Sequence, residues 1–251
     1  MSKRKLPEEL TEGVALAGKR PNTTMLREIE RQAVLFVFAH GAGAGSMHPW
    51  MQRWQRALSQ IGDVFTFDYD YIKRGSKAPD AAPKLIKRHC AAIREGQTAF
   101  PHSAAHTFLI GKSMGSRIGL HAAIELHQAD NPICGCITLG YPLKAPNGQI
   151  RREVLDQFPS TLPLLMIQGE RDSFSPNGLL QEVTKDLQCL VEVHSIPAGD
   201  HSLACTKSYL KQSGKTQEQV EAAILKEMIY PFVLKQLEKN VNHDNANDKH
   251  R

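Results

Sequence analysis

Thr107-Phe108-Leu109-Ile110, then Gly111-Lys112-Ser113-Met114-Gly115, then apolar residues at helical spacing to His127: this stretch carries the architecture. An apolar, β-rich run ends in a two-glycine turn and passes straight into an amphipathic helix, the strand–turn–helix unit from which parallel α/β sheets are built. Only small neighbours at 111 and 115 permit a turn that tight, and the residue between them takes a strained backbone conformation. Ser113 is thereby held out at the carboxyl end of a strand and at a helix N-terminus, where the helix dipole favours a developing negative charge.

The same alternation extends in both directions. Apolar runs at Ala33–Ala39, Val64–Asp68, Ile133–Leu139, Leu164–Gln168 and Leu190–Ile196 predict five further strands. Helical patterns fall between and after them, at Pro49–Gln60, Ala81–Gly96, Met114–His127, Asn177–Leu187 and Gln217–Leu237. Short apolar strands alternating with longer helices predict an α/β fold, a mostly parallel sheet of about six strands with helices on both faces. One domain is expected over 32–238. Residues 1–31 read as a polar, partly disordered leader, and 239–251 as a disordered polar tail whose composition cannot bury enough surface to order itself.

Composition narrows the class. With 251 residues, 41% hydrophobic and 23% charged, the chain can bury a large core and is not disordered throughout. Its mean hydropathy is −0.36, and no apolar run approaches the roughly 18 residues a bilayer crossing needs. The start is basic, but no apolar stretch follows it, so no secretory signal is visible. Five cysteines, an odd number, predict reduced thiols in a cytoplasmic setting. Cys134-Gly-Cys136 lacks zinc spacing and reads as buried strand cysteines.

The net charge is +5. It concentrates in Ile72–Glu95, where seven basic side chains meet two acidic ones. Ala82, Leu85, Ile86 and Ile93 recur there at helical spacing, so the basic residues are read as the solvated face of an amphipathic helix. A nucleic-acid partner is not expected.

A serine hydroxyl is a weak nucleophile near neutral pH; it needs a base, and the base an orienting carboxylate. The strand at Leu164–Gln168 runs into Gly169-Glu170-Arg171-Asp172, and the strand at Leu190–Ile196 runs into Pro197-Ala198-Gly199-Asp200-His201. Asp172 and His201 are therefore expected beyond the carboxyl ends of successive strands, on the sheet edge that carries Ser113. Asp172 is preferred to Glu170 because a helix starts soon after it. Asp200 is too close in sequence to orient the His201 ring. His40, His48 and His194 are read as packing or loop residues. Oxyanion donors are expected from the Met114 N–H and from the glycine-rich loop His40-Gly41-Ala42-Gly43-Ala44-Gly45, with Ala42 first choice and Gly43 second. Gly41 and Gly43 let substrate approach this backbone. Tyr141, Met114 and Trp50 are candidates for lining the pocket.

His40-Gly41-Ala42-Gly43-Ala44, Gly111 to Arg117, Gly140-Tyr141-Pro142-Leu143 and Gly199-Asp200-His201-Ser202 together resemble the KANL3/Tex30 group of α/β-hydrolase-like proteins, related to the dienelactone hydrolases. The resemblance covers 32–238. It implies a single-domain α/β-hydrolase core without the first two strands, and a Ser113–His201–Asp172 triad. The nucleophile position holds Ser, where dienelactone hydrolase has Cys. Only a short, proline-bearing connection separates Leu139 from Leu164, which predicts a minimal cap and an open cleft.

The expected function is a serine hydrolase of carboxylesterase or thioesterase type, acting by acyl transfer on a small soluble ester or acyl substrate. No metal or organic cofactor is implied, since the mechanism needs neither. The alternative is a non-catalytic protein-interaction module on the same fold, with the basic segment and the leader as its surface. One branch of the resembling group belongs to a chromatin-modifying complex, so a protein partner and a nuclear location stay open beside the cytoplasmic one.

Overall fold

Central strands whose side chains are apolar on both faces form a sheet that must be covered twice, and this chain does so. The computed structural model describes residues 33–129 and 133–248, with side chains to residue 239. The 1–31 leader lies outside the described residues. Six strands, β1 (Leu35–Ala39), β2 (Asp63–Phe67), β3 (Thr107–Lys112), β4 (Gly135–Leu139), β5 (Leu164–Gly169) and β6 (Val191–Ile196), form one sheet in the order β2-β1-β3-β4-β5-β6. All five pairings are parallel. The expected α/β architecture is the observed one, with strand limits moved by one or two residues.

The α-helices of seven residues or more are α1 (Pro49–Leu58), α2 (Ala82–Ala99), α3 (Met114–Gln128), α4 (Asn177–Lys185), α5 (Lys207–Ser213), α6 (Gln217–Ile224) and α7 (Tyr230–Asp248). Alternate β1 residues face two separate cores. Leu35, Val37 and Ala39 pack with Leu85 and Ile93 of α2, Ile118 of α3 and Leu180 of α4. Phe36 and Phe38 pack with Trp54 of α1, Ile224 of α6 and Phe232 of α7.

Two expectations change. The single helix predicted over Gln217–Leu237 is instead α6, a π-helical stretch Leu225–Ile229 and α7 in unbroken succession, and the Tyr230 N–H donates to the Leu225 carbonyl. The widened turns lead into Pro231, which has no N–H and whose ring crowds the carbonyl four residues back. Where composition predicts a disordered tail, helical backbone continues to Asp248, because extending an existing helix avoids the cost of nucleating one.

The amphipathic reading of Ile72–Glu95 corresponds to α2, with Leu85, Cys90 and Ile93 buried. Of the seven basic residues in Ile72–Glu95, three are held in ion pairs. Arg88 pairs with Glu95 at 2.9 Å, and Arg74 and Lys84 share Asp80 at 2.7 and 3.3 Å.

His89, on the buried face of α2, makes folding pH-dependent. Its ring is fully buried, and Nδ1 lies 3.0 Å from the Tyr69 hydroxyl. Burial, helped by the nearby Arg88 and His40, pushes its pKa from 6.5 down to about 3. The unfolded chain therefore takes up a proton below about pH 6.5 that the folded chain refuses until about pH 3, and stability falls across that window as pH drops. His89 alone should remove about 2 kcal/mol between pH 7 and pH 5. Burial lowers the His40 pKa as well, in the same destabilising direction. Urea midpoints at the two pH values, compared with those of His89→Leu, check this. Parallel pH dependence in the two proteins would refute the assignment.

Candidate active site

The sheet order reverses between β1 and β3, so the loops after these strands open a crevice at the switch point. Ser113 stands there at φ 50°, ψ −115°, between β3 and α3. Both flanking glycines are obligatory in this geometry. A Cβ on Gly111 would lie 2.4 Å from the Gly115 carbonyl carbon, and one on Gly115 would lie 2.6 Å from the Ala39 and His40 oxygens.

From Ser113 a single hydrogen-bonded line runs inward. The Ser113 hydroxyl is 2.7 Å from His201 Nε2, and His201 Nδ1 is 2.6 Å from Asp172 Oδ2. An ionised carboxylate only accepts, so Nδ1 carries the ring proton and Nε2 is the acceptor for the serine O–H. The Asp172 side chain is fully buried, whereas that of His201 is 24% exposed. The carboxylate is thus shielded while the imidazole remains at the cleft. Asp172 also accepts from the Phe174 N–H at 2.8 Å and from the buried Gln168 amide. The alternative acid, Glu170, is turned away and accepts from the Ala198 N–H.

The His201 loop is seated by contacts that the sequence did not reveal. Gly140 (φ 71°) and Gly169 lie so close beneath it that a Cβ would meet the His201 oxygen at 2.6 Å and the Asp200 oxygen at 2.1 Å, respectively. Lys112 Nζ donates to the Ser202 hydroxyl at 2.9 Å and lies 4.7 Å from the Trp50 ring centre. The Trp50 indole N–H donates to the Ser202 carbonyl at 2.8 Å. Burial lowers the Lys112 pKa, partly offset by Asp200 and Asp172.

The first-strand loop is equally fixed. His40 is buried; its Nε2 accepts from the Tyr69 N–H at 3.2 Å, leaving Nδ1 to donate to the Gly41 carbonyl at 2.7 Å. The Tyr71 hydroxyl donates to the Ala42 carbonyl at 2.9 Å. Burial, with Asp68 and Asp80 nearby, pushes its pKa up to about 12, so it remains a donor. Met114 opens α3, where the first N–H groups have no partner within the helix.

Ser113, Met114, Ala42, His201 and Phe174 share a cleft of about 390 Å³, completed by Leu85, Arg117 and Arg151 among others. Among the remaining expected residues, Gly41 borders Ser113, with a Cβ there falling 3.5 Å from the serine Cβ, while Gly43 is exposed with open space around it. Tyr141 and Trp50 need correction. Tyr141 is fully buried outside the cleft lining, and its hydroxyl donates to the Arg151 carbonyl at 3.0 Å. Trp50 is buried in the core against Trp54. An aromatic residue beside a motif can face either side of its backbone, and in both cases packing took the ring.

The cap is small, as expected. Between β4 and β5 the chain makes one antiparallel bridge, Lys144 to Ile150, and one helical turn, Glu153–Asp156.

A family model described as an alpha/beta hydrolase domain matches residues 32–232. Among solved structures, an alpha-beta serine hydrolase homologue from Coxiella burnetii is similar at 14% identity and TM-score 0.58, over 78% of this chain and 85% of that one. Dienelactone hydrolase from Anabaena variabilis is similar at 19% identity and TM-score 0.54, over 76% and 86%. A lidless member of the serine hydrolases from Xanthomonas campestris gives 16% and 0.53, over 78% and 81%. At these identities the likeness is one of fold.

Proposed function

This chain belongs to the alpha/beta hydrolase domain family, and from that membership we propose that it is a serine hydrolase cleaving a small ester or thioester. The observation that carries the proposal is the unbroken line Ser113–His201–Asp172, at 2.7 and 2.6 Å, with its serine end in the cleft. As Ser113 Oγ attacks the carbonyl carbon, its proton passes to His201 Nε2 and the imidazolium is held beside the Asp172 carboxylate. The oxyanion is received by the Met114 and Ala42 N–H groups, with Gly41 and Gly43 keeping that wall low. His201 then hands the proton to the leaving alkoxide or thiolate. Water, activated by the same ring, releases the acyl group.

The finer placement near the KANL3/Tex30 group is supported by Lys112-Ser113-Met114-Gly115-Ser116-Arg117 and Tyr141-Pro142. Five cysteines, an odd number spread along the chain, support a reducing, cytoplasmic setting. Among the described residues no helix is long and apolar enough to cross a membrane.

A fluorophosphonate probe tests the reading. Intact mass should show one adduct on the wild-type protein and none on folded Ser113→Ala, because only an activated serine reacts. Folded wild-type protein that remains unlabelled would remove the proposal.

A further inference from the structure

We propose that Arg117 and Arg151 form an anion subsite on the wall of the Ser113 cleft, and that the acyl half of the substrate ends in a carboxylate held there. The inference takes the cleaved bond from the hydrolase reading, but the subsite is a matter of binding and can be tested without turnover.

Both residues line the cleft with Ser113 and His201, and both are set by backbone contacts. Arg117 follows Ser113 by one helical turn, its N–H donating to the Ser113 carbonyl at 3.2 Å, so its side chain shares the face of α3 that begins at the nucleophile. Arg151 comes from the connection between β4 and β5. Its N–H donates to the Leu143 carbonyl at 2.7 Å and its carbonyl accepts from Tyr141.

What sets the pair apart is partial burial in the cleft without a side-chain partner among the described residues; Arg56, Arg94 and Arg171, which also lack one, are exposed to water. Arg53 meets Glu221, Arg74 meets Asp80, Arg88 meets Glu95 and Arg152 meets Asp156, all within 3.1 Å. Arg117 is half-buried, its Nε is buried without a hydrogen bond, and neither its side chain nor that of Arg151 bonds to any described residue. A desolvated guanidinium with no counter-charge is costly, and a second cation facing it adds to the cost. Burial and Arg151 both lower the Arg117 pKa. Glu153 acts on Arg117 only through space. The carboxylate that does line the cleft, Asp80, is already engaged by Arg74 and Lys84. An incoming carboxylate would supply what the chain withholds, because a guanidinium fork matches its two oxygens.

The rest of the wall indicates what lies between the two ends. Ala42, Met114, Leu85 and Pro142 are apolar, and a cleft of about 390 Å³ suits a short methylene chain. The substrate class is therefore the half-ester, or half-thioester, of a short dicarboxylic acid.

Calorimetry on full-length Ser113→Ala, which cannot turn over, compares monomethyl glutarate with the neutral dimethyl glutarate. The anionic ester should bind at least about tenfold more tightly, the scale of a charged hydrogen-bonded contact. In the same background Arg117→Gln and Arg151→Gln should each cut that preference by about fivefold or more, and Arg117→Lys should restore part of it. Equal binding of the two esters, or an undiminished preference in both Gln variants, overturns the inference. Thermal melts separate a folding defect from lost binding. Arg117 has no partner to lose, so Arg117→Gln should not lower Tm, and Arg151→Gln gives an independent reading. If the fluorophosphonate labels Ser113 but the esters bind equally, only the subsite fails. If labelling fails while the preference is present, the hydrolase reading fails and the subsite stands.

Discussion

Asp172→Asn should fold like the wild type and lose roughly three to four orders of magnitude in kcat, with the rate of fluorophosphonate labelling at Ser113 falling in parallel. The reason lies in proton placement. The Asp172 carboxylate receives His201 Nδ1–H, the Phe174 N–H and the Gln168 amide. Those donors leave an amide at 172 no way to act as acceptor on every side. If the Asn amide nitrogen faces His201, it donates to Nδ1, the ring proton moves to Nε2, and the base can no longer accept from Ser113. A ring held in the wrong tautomer is worse than one merely deprived of a neighbouring charge. The change is nearly isosteric and the site is buried, so circular dichroism and Tm should move little compared with kcat. Turnover within tenfold of the wild type would mean that Asp172 does not orient His201, and the proposed mechanism would lose its acid.

The second large effect concerns stability. Gly115→Ala should destabilise the fold by about 3 kcal/mol or more. The added methyl would meet the Ala39 and His40 carbonyl oxygens at 2.6 Å, and both belong to backbone that cannot step aside without parting β1 from α3. The same displacement drags the Met114 N–H away from the cleft, so residual folded protein should also label slowly. Gly178→Ala is the fitting comparison. It lies in α4 with open space about it, and there the substitution should be neutral or stabilising by up to about 1 kcal/mol, since it lowers unfolded-chain entropy. Similar urea midpoints for the two variants would show that the close approach at 115 is not the constraint described above.

Much of this was readable beforehand because the signals were local. The four central strands are runs buried on both faces, and the turn at Ser113 announces itself by glycines on either side. Asp172 and His201 could be placed because each directly follows a strand, and parallel topology delivers strand ends to one edge. What could not be read depended on which way a side chain turns. Tyr141 and Trp50 sit beside motif residues, yet one supports Arg151 from within and the other clamps Ser202 from the opposite core. Gly140 and Gly169 look like ordinary turn glycines until the His201 loop is seen resting on them. Arg117 belongs to a stretch that carries a family resemblance, but its want of a partner among the described residues is a property of three-dimensional space. The π-helical stretch before Pro231 is a compromise between a continuous amphipathic pattern and one residue that cannot donate.

The parallel sheet has a further consequence for how the molecule is made. The proposed nucleophile, acid and base, Ser113, Asp172 and His201, follow one another in chain order after β3, β5 and β6, so any amino-terminal fragment that stops before His201 holds a serine without the base proposed for it. On the proposed mechanism, the Ser113 hydroxyl emerges during synthesis long before its base, and the nascent chain stays chemically silent until the final strand has joined the sheet.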